Sequence, residues 1–195
     1  MKAIETFKDI ATLYAKDRSI WRKWLAKHHE KVSAIWLILY HKKSDKPCIN
    51  YSESVEEALC FGWIDSVKYK RDAESAYQMF TPRKPKSIWS KLNKERVELM
   101  TNAGLMTHAG QKLIDIAKQT GTWDALNEID NETIPYDLQI AFKKNRIAQT
   151  HFESFSSSLK KIILYWIQSA KRPETRAKRI LATINAAVEN RKVFP

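Results

Sequence analysis

Residues 63–81 read WIDSVKYKRDAESAYQMFT. Lys68 and Lys70 fall on one side of an extended chain and Val67 and Tyr69 on the other, so Trp63–Lys70 has the period of two that predicts a strand. Arg71–Ser75 is a polar turn and Ala76–Thr81 a second strand, which makes the stretch a β-hairpin. Pro82 and Pro85 stop it, because proline cannot donate to a ladder. Upstream, Ala34–Tyr40 (AIWLILY) is apolar throughout and of strand length, the signature of a strand buried on both faces. Most of the remaining pattern has helical period. The fold class this predicts is α+β, predominantly helical, with a small antiparallel sheet in the N-terminal half and a helical C-terminal module.

Working outward, Phe7, Ile10, Ala11 and Tyr14 recur at helical spacing and predict a helix over Phe7–Ala15. Asp17 or Ser19 caps a second helix with Ile20, Trp21, Trp24 and Leu25 on one side. Ser54 with Glu57 has the form of a capping box for a short helix carrying Val55, Ala58 and Leu59, ended by Gly62. Ser87 is the expected cap of a helix that runs to near Gly104, and Thr107–Gln119 is another helix, closed by Gly121. Residues 120–134 are polar and predict a connector, with Pro135 the first helical residue after it. Beyond lie two apolar stripes: Leu159, Ile162, Ile163, Trp166, Ile167 and Ala170, then Ala177, Ile180, Leu181, Ile184 and Val188 in a helix started by Pro173. The organisation expected is an α+β domain over 1–125 and a helical module over 135–195, either separate or packed as one domain.

A chain of 195 residues buries enough surface to fold without disulfides or metals. Only 4 glycines occur, which suits helix better than a many-turned β fold. Cys48 and Cys60 form no CxxC pair and are expected to be buried free thiols. The segment MKAIETFKDIATLYAKD carries acidic residues where an export signal would have an apolar core, and no apolar run approaches membrane-spanning length. A cytoplasmic location is expected. No Walker loop, GxGxxG, GxSxG or HExxH is present, the five histidines are scattered, and neither a metal site nor a cofactor is expected.

The net charge is +12, and two short segments hold all of it. Residues 68–96 carry nine basic and three acidic groups, and residues 160–179 seven basic and one acidic. Such segments are either solvated faces or surfaces for phosphates, carboxylates or acidic proteins. In PRKPKS, Arg83 and Lys86 lie on a proline-stiffened loop before a helix start, with Ser87 and Ser90 adding hydroxyls and Asn93 one turn on. A helix start with free N–H groups, a hydroxyl and cations suits an anion. AKRPETRAKR repeats the arrangement with Lys171, Arg172, Thr175, Arg176 and Arg179, whose arginines share one helical face if the helix runs through. Simple capping beside a solvated face is the plain alternative. Asp65 is the acid nearest these motifs: either a structural partner of a cation or a general base beside Lys68. Trp63, Trp89, Trp123 and Trp166 are core residues or pocket walls.

The pieces ALCFGWIDS (58–66), Lys68–Asp72, FTPRKPKSIWSKLNKER (80–96), GLMTHAG (104–110) and SAKRPETRAKRI (169–180) together resemble the YdeI/OmpD-associated family, the bacteriocin-protection proteins. The resemblance spans about residues 20–190. It implies a link to protection against bacteriocins, antimicrobial peptides or envelope stress, with no agreed reaction. Family members are sometimes described as periplasmic, and the absence of an export signal departs from that. The reading favoured by the residues is a non-enzymatic binding module for an anionic small molecule or an acidic partner. Nucleic-acid binding is an alternative, resting on a pI of about 9.6 and on Tyr69 and Tyr77 interleaved with the basic hairpin. An enzyme acting on a small phosphorylated or carboxylated substrate, with Asp65 as base, is another.

Overall fold

In a computed structural model, which describes residues 5–191 apart from the side chains of Glu128 and Asp130, the chain divides into two compact units at Asp124/Ala125.

The first unit is built on a five-stranded sheet. Its strands are β1 (Thr6–Phe7), β2 (Ile10–Tyr14), β3 (Ile35–Tyr40), β4 (Trp63–Lys70) and β5 (Ser75–Pro82), in the order β1-β2-β3-β5-β4. The β4–β5 hairpin is the one expected, with a register shift between Asp65 and Lys68. β3 pairs antiparallel to β5 and is buried on both faces, as its unbroken apolar run requires.

The predicted helix over Phe7–Ala15 is instead β1 and β2. They are joined by Lys8 and Asp9, both left-handed (φ 52° and 61°), the two-residue turn that suits strand twist. Thr12, Leu13 and Tyr14 pair parallel with Trp36, Leu37 and Ile38. A ladder against an already buried strand outweighs local helical spacing. The parallel pair needs a crossover, which helix α1 (Arg18–His28) supplies, capped by Asp17.

Helix α2 (Tyr51–Cys60) starts earlier than expected. Asn50 caps it, with Glu53 completing the box in place of Ser54 and Glu57. The earlier start keeps Val55, Ala58 and Leu59 buried and takes Glu57 into the interior. Helix α3 (Lys91–Asn102) is capped by Ser90 rather than Ser87. Ser87 donates its N–H to Lys84 O in a turn, and Trp89 is drawn into the core with its N–H on Thr122 O, so the helix cannot begin before them. The helix expected over Thr107–Gln119 is α4 (His108–Gln119), with Thr107 as its cap residue. Trp21, Leu37, Trp63 and Phe80 centre the core between sheet and helices, and Trp36, Ile38, Tyr77 and Met79 fill the opposite sheet face with Phe7 and Ile10.

The second unit is helical. The predicted connector contains one short turn, α5 (Asn127–Asp130). There follow α6 (Tyr136–Lys144), α7 (Arg146–Ser154), α8 (Ser157–Gln168) and α9 (Pro173–Val188). Pro135 is the cap residue of α6, with extended ψ, rather than its first helical residue. Pro173 does open α9. The α9 stripe is rotated from expectation. Ile184 is buried with Thr183, Ala186 and Ala187, whereas Leu181 is 61% exposed. Small residues let α9 approach α7 closely, and His151 bonds through Nδ1 to Ala187 O at 2.8 Å. Leu138, Phe142, Phe152, Ile163, Leu164 and Ile167 complete this core. No helix among the described residues is long and apolar enough to cross a membrane.

Candidate functional site

Arg83 leaves the end of β5, where its N–H donates to Gly62 O at 2.8 Å. Its side chain turns inward and is only 6% exposed. One Nη2 proton goes to Ile88 O at 2.6 Å, which closes the PRKPKS loop on itself, and the guanidinium lies 3.8 Å from the ring centre of Trp89. Nε has no hydrogen-bond partner, and among the described residues no carboxylate forms an ion pair with this arginine. Burial pulls its pKa down to about 10, opposed only by the field of Asp65. A buried cation without a counter-ion is unusual, because desolvation of an ion costs several kcal/mol.

Arg83 lines a cavity of about 500 Å³ with Phe61, Gly62, Trp63, His108, Lys112 and Leu113. Beside this cavity the end of α2 and the start of α4 meet closely. Thr107 donates its hydroxyl to Cys60 O at 2.6 Å and accepts from Gly110 N–H. A Cβ at Gly110 would run into Cys60 O, and one at Gly62, whose φ is +73°, would lie 3.0 Å from Leu113 Cδ1. Two of the motifs read in the sequence, FGW and THAG, are therefore the two sides of one junction. His108 and Ala109 carry the first N–H groups of α4, which have no acceptor within the helix. Sequence reasoning assigned no role to His108 or Lys112. Their presence in GLMTHAGQK next to a capping threonine was the available signal.

The other predicted residues of the first unit divide. Lys86 is exposed and Ser87 sits in the loop turn. Ser90 caps α3, and Asn93 accepts from Arg96 at 3.0 Å. Asp65 accepts from the Tyr51 hydroxyl at 2.6 Å, while Lys68 is exposed beyond the bulge. Burial and that carboxylate push the Tyr51 phenol up to about 12. Trp63 and Trp89 are core residues that also shape the surroundings of Arg83. Sequence reasoning also missed a buried ionic cluster. Glu57, 1% exposed, takes Arg18 at 2.5 Å and Arg22 at 2.6 Å, and Arg22 reaches on to Leu105 O. Cys60 beside it is a free thiol that burial pushes up to about 11, which removes it as a nucleophile at neutral pH.

In the second unit the AKRPETRAKR arginines are differently placed. Arg172 is the cap residue of α9 and extended, so the helix does not run through it and the expected three-arginine face is broken there. Arg176 grips Asp137 with two bonds, 2.6 and 3.0 Å, and reaches Ile167 O at 3.4 Å. Asp137 is held below the ordinary carboxylate range by that guanidinium. Arg179 donates to Trp166 O and, at 2.9 Å, to Ser169 Oγ, with its head over the Trp166 ring. Together they fasten α9 to α6 and the end of α8. Lys171 and Arg172 are exposed, and Thr175 is half-buried. Each of the two basic motifs is thus built within its own unit. Among the described residues no group of three or more His, Cys, Asp or Glu side chains could hold a metal ion.

Residues 13–113 match a family model described as Domain of unknown function (DUF8412), and residues 132–190 match one described as Bacteriocin-protection, YdeI or OmpD-Associated. No curated protein and no solved structure matches the chain. The second match covers the SAKRPETRAKRI motif and bears out the resemblance read there, while the FGWIDS, PRKPKS and GLMTHAG motifs fall within the first. The chain belongs to the DUF8412 family, whose model spans more than half of it, and it carries a YdeI/OmpD-associated segment in its second unit.

Proposed function

We propose that this protein is a binding module for a small anion, housed in the first unit in the cavity lined by Arg83. The observation that carries the reading is the buried, uncompensated guanidinium. Evolved interiors pair such charges, and an anion beside Arg83 would supply the missing counter-charge. The start of α4 and Lys112 add donors and positive potential on the same cavity. The bacteriocin-protection role in the family description would then act through an anionic ligand or acidic partner, since a chain of net charge +12 repels cationic peptides.

The test is a thermal-shift panel of small anions and short nucleic acids at physiological salt, on wild type and on Arg83→Met. A ligand at 100 times its dissociation constant adds roughly 2.7 kcal/mol of stability. The reading expects at least one small anion to stabilise wild type and to leave Arg83→Met unmoved. No shift with any anion, or an equal shift in Arg83→Met, refutes it. Shifts confined to nucleic acid and vanishing with salt would transfer the function to the basic hairpin.

A further inference from the structure

The walls of the Arg83 cavity are unlike one another. Arg83, Lys112 and the first N–H groups of α4 supply cations and donors. Phe61, Gly62, Trp63, Pro82 and Leu113 supply apolar surface. Gly62 packs closely against α4, where a side chain would crowd Leu113 and Ala109 O. Glu30, also on the lining, adds one negative charge. With histidines counted as neutral, two cations against one carboxylate leave a net charge of +1 around the cavity. That balance complements a monoanion, while a dianion would be left with an uncompensated charge.

We propose, on the basis of the anion-binding reading above, that the occupant is a monocarboxylate carried on a flat apolar body. Its carboxylate lies between Arg83, Lys112 and the start of α4, and its body lies against Phe61, Trp63 and Leu113. The cavity volume of about 500 Å³ lies within the range of small-molecule sites and exceeds what a bare inorganic ion fills. A carboxylate also suits the donors better than phosphate does. One guanidinium edge is already committed to Ile88 O and its face to Trp89, so the arrangement cannot surround three anionic oxygens.

The experiment is calorimetric titration of the full chain with benzoate, benzamide, acetate and inorganic phosphate, in wild type and in Lys112→Glu. Lys112 is exposed on α4, so its replacement spares the fold and turns the local net charge to −1. The expected result is that benzoate binds at least tenfold more tightly than acetate, phosphate or the uncharged benzamide, and loses at least tenfold in Lys112→Glu at unchanged Tm. Acetate or phosphate binding as tightly as benzoate overturns the apolar monocarboxylate and leaves the anion site standing. Benzamide matching benzoate, or Lys112→Glu binding benzoate as wild type does, overturns the role of charge in the ligand class. No binding by any of the three anions overturns this inference together with the reading it rests on.

Discussion

Arg83 and Arg176 stand in motifs that look alike, each a basic, proline-containing run before a helix, yet their surroundings are opposite. Arg176 meets Asp137 through two bonds and keeps its charge balanced. Arg83 is more deeply buried, pairs with no carboxylate among the described residues, and offers one proton to a backbone carbonyl and none from Nε. An arginine with its own counter-ion is a fastener. One without is held at a cost that the Trp89 ring and Ile88 O offset in part and that an anion would offset further. Basic motifs are therefore sorted by what their charge already touches, not by their composition.

The strongest pairing in the interior is at Glu57. Glu57 bridges Arg18 and Arg22 in the interior, so Glu57→Ala leaves Arg22 without a carboxylate and Arg18 with Glu56 alone, and is expected to cost about 3 kcal/mol in urea unfolding. A loss below about 1 kcal/mol would mean that buried counter-ions matter little here, and Arg83 would then need no ligand to balance it. Next, Arg83→Met removes an uncompensated charge along with one hydrogen bond, and these oppose each other. Stability is expected within about 1 kcal/mol of wild type, while anion affinity falls by more than about 30-fold. Arg176→Met, by contrast, is expected to lose about 1 kcal/mol and no anion affinity.

Arg176 holds the folded-state pKa of Asp137 below its ordinary 3.8. The stability this gives is fully present above 3.8 and is lost as pH falls through the lower folded value. Acid unfolding followed by circular dichroism should show that loss in wild type and not in Arg176→Met. The smallest effect belongs to Lys171→Gln and Arg172→Gln, both exposed, each expected within about 0.5 kcal/mol of wild type.

The β4–β5 hairpin and β3 were legible in the sequence because a period of two fits no helix and a seven-residue apolar run is too short for one. The β1–β2 ribbon was not, since Phe7, Ile10, Ala11 and Tyr14 satisfy a helix as well, and the deciding partner is β3, more than twenty residues away. Two caps slipped by one turn, Asn50 for Ser54 and Ser90 for Ser87, because several eligible residues stand close together and the burial of Glu57 and Trp89 chooses among them. Arg83 and Arg176 were visible as candidates by residue type. What separates them, Asp137 thirty-nine positions from Arg176 and the burial of Arg83, is tertiary. The junction of Gly62 with the start of α4 was present as two motifs whose contact only the fold reveals.

The most direct measurement is anion titration of three proteins side by side: wild type, Arg83→Met and Arg176→Met, each first shown to be folded at the assay temperature. Binding is expected in wild type and Arg176→Met and none in Arg83→Met. Binding retained by Arg83→Met, or lost in Arg176→Met alone, would contradict an anion site built on the unpaired arginine.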